Sequence, residues 1–166
     1  MTTEGINLLK EFEGFRCEAY LCPAGVWTIG YGNTTYEDGS KVKKGDTINR
    51  DNAEKLLEFH TYEYENAIRA SLHNNHIVLA PRSLDALVVL AYNIGLTAFL
   101  KSTLYKVIKN DQNDLKNIEY QWKRWNKCNG KELEGLTRRR DKEFDLYRRG
   151  VLGRYTDYEK REKFGL

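Results

Sequence analysis

Residues 13–34 read Glu13-Gly14-Phe15-Arg16-Cys17-Glu18-Ala19-Tyr20-Leu21-Cys22-Pro23-Ala24-Gly25-Val26-Trp27-Thr28-Ile29-Gly30-Tyr31-Gly32-Asn33-Thr34, and within them the pattern changes from helix to sheet. On the N-terminal side Ile6, Leu9 and Phe12 recur at helical spacing, Thr3 is placed to cap and Glu4 suits the positive helix start, so a helix is expected over 3–13. Gly14 closes it in the left-handed position that ends many helices. After it Trp27, Ile29 and Tyr31 alternate, and Gly25, Gly30, Gly32, Gly39 and Gly45 punctuate residues 15–46, which predicts a small antiparallel sheet. Cys22-Pro23-Ala24-Gly25 has Pro second and Gly fourth, the chemistry of a turn, and the proline keeps Cys22 extended.

From Asp51 onward the helical period returns. Ala53, Leu56, Leu57, His60, Tyr64 and Ile68 mark one long helix, interrupted near Asn74 and Asn75. Pro81 opens another, whose Leu84, Leu87, Val88, Leu90 and Ala91 make it apolar nearly all round and therefore central. Further helices are expected at 102–109, 114–125 and 137–149. The order predicts an α+β chain, a single domain over 1–166, with a small sheet lobe at about 14–50. A long helix would join it to a larger helical lobe at about 75–166, counted together with the N-terminal helix.

With 166 residues, 40% hydrophobic and 31% charged, and only two prolines, the chain can bury a core, and disordered or low-complexity classes drop out. The longest uncharged run, residues 86–100, has 15 residues broken by Asn93 and Gly95, so no membrane span is expected. The first residues lack the apolar stretch of a secretory signal. Cys17, Cys22 and Cys128 are too few for a disulfide framework and are expected as free thiols. Charge is uneven: residues 1–120 carry 13 Lys and Arg against 16 Asp and Glu, residues 121–166 carry 14 against 8. The basic end, with Arg138, Arg139, Arg140, Arg148, Arg149 and Arg154, is either a polyanion-facing surface or a solvated helix face interleaved with Asp141, Glu143 and Asp145.

Few motifs carry chemistry. Gly30-Tyr31-Gly32 lacks the third glycine and the helix of a dinucleotide loop, so its glycines read as hairpin turns. His60, His73 and His76 have no metal-ligand spacing, and neither a metal nor a cofactor is expected. Glu13 stands out by position, since the negative end of a helix favours a carboxyl that keeps its proton, as a general acid requires. Cys22 on its turn and Thr28 on the first strand after it could converge with Glu13 on one cleft; the plainer readings are a packed thiol and a strand-forming threonine.

Residues 13–16 and 19–34 closely resemble the signature of phage-type lysozymes, the T4-like and lambdoid endolysins of glycoside hydrolase family 24. Ala91-Tyr92-Asn93-Ile94-Gly95, residues 98–104 (AFLKSTL) and residues 125–140 (WNKCNGKELEGLTRRR) resemble that family's later blocks in the same order, so the likeness spans essentially the whole chain.

The resemblance implies a lysozyme-like fold and a muramidase cleaving the β-1,4 bond between N-acetylmuramic acid and N-acetylglucosamine, with inversion. The family's catalytic spacing, Glu-x8-Asp-x5-Thr, falls here on Glu13, Cys22 and Thr28. Glu13 would then protonate the glycosidic oxygen and Thr28 would help hold the attacking water. Cys22 departs from the commoner aspartate. As a thiolate, favoured by nearby Arg16, it would restore the missing charge, orienting water and stabilising the transition state or attacking the anomeric carbon itself. Thr34, Tyr92, Asn93 and Thr103 match substrate-cleft positions, Tyr92 for stacking on a sugar and Asn93 for an acetamido group. Arg138 is expected to support the catalytic acid, with Arg139 and Arg140 as alternatives, and Asn33 stands where the family often has His.

The expected partner is the peptidoglycan glycan strand, reached by a monomer that waits in the host cytoplasm until a holin releases it to the periplasm and wall. Two rival readings are a lysozyme-like glycan-binding module impaired by Cys22 and a nucleic-acid binder using the basic end; no nucleic-acid motif supports the second.

Overall fold

The computed structural model describes all residues, 1–166, in the order α1 (Thr3–Glu13), β1 (Arg16–Leu21), β2 (Trp27–Gly30), α2 (Arg50–His73), α3 (Pro81–Ile94), α4 (Leu96–Lys101), α5 (Thr103–Asn110), α6 (Leu115–Lys123), β3 (Lys127–Cys128), β4 (Lys131–Glu132), α7 (Glu134–Leu152) and α8 (Asp157–Phe164). This is the expected α+β order. The chain divides into a sheet-bearing unit, Ile6–Glu63, and a helical unit, Met1–Gly5 with Tyr64–Leu166. Most of α1, which the sequence had suggested counting with the helices, falls in the sheet-bearing unit, and α2 runs on from one unit into the other.

In the sheet-bearing unit, α1 ends where Gly14 turns left-handed (φ +66°) and its N–H reaches Lys10 O at 3.0 Å. The sheet is smaller than the glycine-punctuated stretch had suggested. Only β1 and β2 pair, antiparallel, with Arg16 opposite Gly30 and Leu21 opposite Trp27 and a bulge between. Residues 31–47 add isolated bridges alone, Ile29 to Asn33, Thr35 to Lys41 and Glu18 to Thr47. The reason lies in Gly30, Gly32, Gly39 and Gly45, all at positive φ, which turn the chain before a third strand can propagate. Leu9, Ile29, Tyr31, Val42, Ala53 and Leu57 form the core. Lys10 bridges to Glu54 at 2.8 Å and the Arg50 guanidinium lies over the Phe15 ring at 4.6 Å, tying α1 and the start of β1 to α2.

The helical unit is built around α3, buried without interruption from Ser83 to Ala91, as its all-round apolar sequence requires. It crosses α7 at close range: Ser83 Oγ donates to Tyr147 O at 2.9 Å, and a Cβ on Gly150 would stand 2.6 Å from the Ser83 backbone nitrogen. Trp122 from α6 closes the core against Tyr147 and Phe144. The cap of α1 also belongs here and corrects the expectation by one residue. Thr2, rather than Thr3, accepts the Gly5 N–H at 3.2 Å, because both the N–H and hydroxyl of Thr2 are held by buried Asp85.

Candidate active site

The β1–β2 connection positions a sulfur. Gly25 N–H bonds to Cys22 O at 2.8 Å and Cys22 N–H to Val26 O at 3.0 Å, the turn that Pro23 and Gly25 had indicated. It leaves Cys22 half-buried with its Sγ facing donors. The N–H of Val26 first, then that of Ala24, hold the thiol below its ordinary range against the opposing effect of desolvation, and the Thr28 hydroxyl adds to them. Arg16 does not supply this stabilisation, contrary to the sequence expectation. It stands at the other end of β1, opposite Gly30, with its guanidinium over the Tyr20 ring at 5.3 Å.

Thr28 is only 4% exposed and its hydroxyl lies 3.0 Å from Val26 O, to which it donates. Thr28 has one proton to give, so the Val26 carbonyl and the sulfur compete for it. A thiol can donate to Thr28 Oγ1, whereas a thiolate draws the hydroxyl proton toward itself.

Glu13, in the last turn of α1, is half-buried, and its Oε2 lies 3.2 Å from where a Cβ on Gly32 would stand. Gly32, at φ +85°, therefore does two things: it turns the chain after β2 and it leaves room for the carboxylate. Sequence reasoning had taken Gly30-Tyr31-Gly32 as hairpin turns alone. Asn33 is buried and pairs backbone to backbone with Ile29 in both directions, at 2.8 and 2.9 Å. Thr34 is exposed, its carbonyl taken by Val42 N–H. Glu13, Cys22, Thr28 and Thr34 thus all belong to the sheet-bearing unit.

The other expected positions belong to the helical unit. Tyr92 is half-buried with its ring centroid 5.5 Å from that of Tyr64. Asn93 is exposed, and its Oδ1 accepts from Arg140 Nη2 at 2.8 Å, which directs the donor side of the amide away from the guanidinium. Thr103, at the start of α5, lines a hollow of about 250 Å³ with Gln121, Arg124 and Trp125. Arg138 lies on the surface of α7. Its guanidinium is 71% exposed and pairs with Glu134 at 3.4 Å, one helical turn back. The buried guanidiniums of this block are the two alternatives, Arg139 and Arg140, at 7% and 0% exposure. Both bond to Glu143, at 3.1 and 3.0 Å, which also accepts Trp122 Nε1 at 3.0 Å. Burial raises the Glu143 carboxyl, while Arg140, Trp122 and Arg139 act against it. No group of His, Cys, Asp and Glu that could hold a metal is present.

Comparison with known proteins adds the ancestry. The profile of the Phage lysozyme family matches residues 10–143. The chain belongs to the phage lysozyme family. The chain is 34% identical to the endolysin of Acyrthosiphon pisum secondary endosymbiont phage 1, over 89% of its own length and 97% of that protein's. It is 35% identical to the endolysin of Bacillus phage B103 over 88% of its own length, and there it spans 53% of the relative. The solved endolysin from Escherichia coli O157:H7 phage FAHEc1 superposes with a TM-score of 0.76 at 33% identity, covering 88% of this chain and 91% of that one. The chain has the lysozyme-like α+β fold.

Proposed function

We propose that this phage lysozyme is a peptidoglycan-hydrolysing endolysin, an N-acetylmuramidase that cleaves the β-1,4 bond between N-acetylmuramic acid and N-acetylglucosamine in host lysis. The reading is supported most by the Cys22 sulfur, which sits among two backbone N–H groups and the Thr28 hydroxyl where the family places a carboxylate. Donors of that kind favour the thiolate, the form that would supply the negative charge an aspartate would carry there. In the proposed reaction Glu13 gives its proton to the departing glycosidic oxygen. The Cys22 thiolate stabilises the oxocarbenium-like transition state, and Thr28 orients the water that attacks the anomeric carbon. The attacking water's proton passes to the Cys22 thiolate, and exchange with solvent then removes it from the sulfur and reprotonates Glu13, restoring the starting state.

On this proposal Thr34, Tyr92, Asn93 and Thr103 contact the glycan, and Arg138, or its alternatives Arg139 and Arg140, supports the catalytic acid. The basic end speeds approach to an anionic wall and makes the rate sensitive to salt. The enzyme works as a monomer and reaches the wall when a holin-type partner opens the membrane. Turbidity clearing of chloroform-permeabilised Gram-negative cells is the test. Wild type clears and Glu13→Gln does not; equal clearing by both, or none by either, refutes the assignment, and the latter result would leave a glycan-binding module.

A further inference from the structure

A hollow of about 400 Å³ in the sheet-bearing unit is lined by none of Glu13, Cys22, Thr28 and Thr34. Its volume is within the range of small-ligand pockets, roughly 300–1,000 Å³. It is lined by Tyr36, Glu37 and Asp38 from the turn after Thr35, by Ile48, and by Lys55 and Leu56 from the second turn of α2, among others. The walls are held in place before any ligand arrives. Tyr36 OH donates to Asp46 Oδ2 at 3.0 Å, and the same oxygen accepts Lys43 N–H at 2.8 Å, which fixes the phenol ring. The turn is closed by Tyr36 N–H to Ser40 O and Gly39 N–H to Tyr36 O, and Asp38 Oδ1 accepts Ser40 N–H at 2.9 Å. Leu56, 3% exposed, and half-buried Ile48 make the apolar part.

Charges of both signs stand around this hollow, and they do not pair with each other. Elsewhere in the same unit Lys10 pairs with Glu54 at 2.8 Å. Lys55, Glu37 and Asp38 line one cavity, yet none makes an ion pair. Hydrogen bonds from Ser40 hold the Asp38 carboxyl below the usual range, so it is anionic at neutral pH. An apolar floor with a fixed aromatic ring, an ammonium and two carboxylates that leave one another free complements a short ligand bearing its own amine, its own carboxylate and aliphatic carbon between them.

We infer that this hollow binds the peptide part of the wall, a short stem carrying a free amine and free carboxylates, separately from the glycan site. The ammonium of Lys55 meets a ligand carboxylate, Glu37 and Asp38 meet the amine, and the Tyr36 ring packs on the aliphatic carbons. This rests on the reading of the wall as substrate, and it extends that reading from sugar to peptide. Such a contact holds the enzyme on peptide-bearing strands between cleavages without touching the reacting bond.

The test uses the whole protein and two probes, a synthetic wall tripeptide ending in a diaminodicarboxylic acid and a peptide-free chitooligosaccharide. Peptide titrated into ¹⁵N-labelled wild type shifts amides of residues 36–40, 47–48 and 52–56. Lys55→Glu and Glu37→Gln each weaken binding about fivefold, the scale of a partly exposed charge pair. Acetylating the peptide's amine has the effect of Glu37→Gln. Both variants lie on the surface and keep the wild-type melting temperature and rate on peptide-free wall glycan. Equal peptide affinity in wild type and Lys55→Glu, peptide shifts confined to other residues, or shifts here from the chitooligosaccharide but not the peptide would each overturn the inference. Failure of wild type to cleave cell walls and peptide-free wall glycan counts against the muramidase reading instead, since peptide binding is measured without turnover.

Discussion

Gly32→Ala separates the two tasks of one glycine. At φ +85° an L side chain strains the backbone by about 1–2 kcal/mol, which for a chain of this size lowers the melting temperature by roughly 2–8 °C. The new Cβ would also stand 3.2 Å from Glu13 Oε2 and 3.9 Å from its Cδ, so the carboxylate has to give by a few tenths of an ångström. Catalytic groups tolerate misplacement of only about 0.5 Å, and a full ångström costs on the order of a hundredfold in rate. Gly32→Ala is therefore expected to lose several-fold and at most about tenfold in kcat, with KM little changed. Gly45→Ala is the control. Its φ of +88° carries the same strain, but a Cβ there meets nothing within 4 Å. Thermal melting by circular dichroism and initial clearing rates on permeabilised cells compare the two. Equal melting points with an activity gap of that size support the placement of Glu13 as the acid. Equal activity in two equally destabilised variants refutes the reasoning, because displacing that carboxylate would then not matter.

Alkylation of Cys22 by iodoacetamide, followed by mass spectrometry in a Cys17→Ser, Cys128→Ser background, should rise with pH through an inflection below the ordinary thiol value of about 8.5; an inflection at or above it removes the thiolate from the mechanism. Hydrogen bonds from Arg82 and Arg149 hold the Glu4 carboxyl below its usual range, so its contribution is present above about pH 4.3 and lost as the pH falls through the lower folded value. Glu4→Gln should accordingly cost up to about 1 kcal/mol at pH 7, given the exposure of that cluster, and the gap from wild type should close in acid; a gap that widens on acidification contradicts the assignment. Gly150→Ala drives a methyl into Ser83 at the α3–α7 crossing and should destabilise by about 1–3 kcal/mol in urea titrations, whereas an unchanged midpoint would mean the crossing has slack.

The parts of the fold legible in the sequence are those whose local pattern and tertiary role agree. The apolar girth of α3 declared a central helix, and Pro23 with Gly25 declared the turn that carries Cys22. The six residues of α4 after Gly95 are too few to show a period. In α8, Asp157–Phe164, no residue is buried, so hydrophobic spacing had nothing to report; only the Thr156 and Glu159 capping box marks its start. The β3–β4 hairpin was readable and passed over: Asn129-Gly130, both at positive φ, is a strong two-residue hairpin signal.

For the proposed site, residue type, spacing and the family resemblance named Glu13, Cys22 and Thr28, but not what surrounds them. The donors on the Cys22 sulfur are backbone N–H groups, which have no side chain to read, and Gly32 matters through a contact across 19 positions of sequence. Choosing among Arg138, Arg139 and Arg140 depends on helical phase. A one-residue shift rotates a side chain by about 100°, enough to exchange a surface partner such as Glu134 for the buried Glu143.

The central claim is that Glu13 protonates the oxygen of a muramyl glycosidic bond. Mass spectrometry of borohydride-reduced products from purified peptidoglycan tests it most directly. Wild type should release fragments ending in reduced N-acetylmuramic acid, and Glu13→Gln, folded and with the same melting temperature, should release none. Fragments ending in reduced N-acetylglucosamine, or the same products from both proteins, would contradict it.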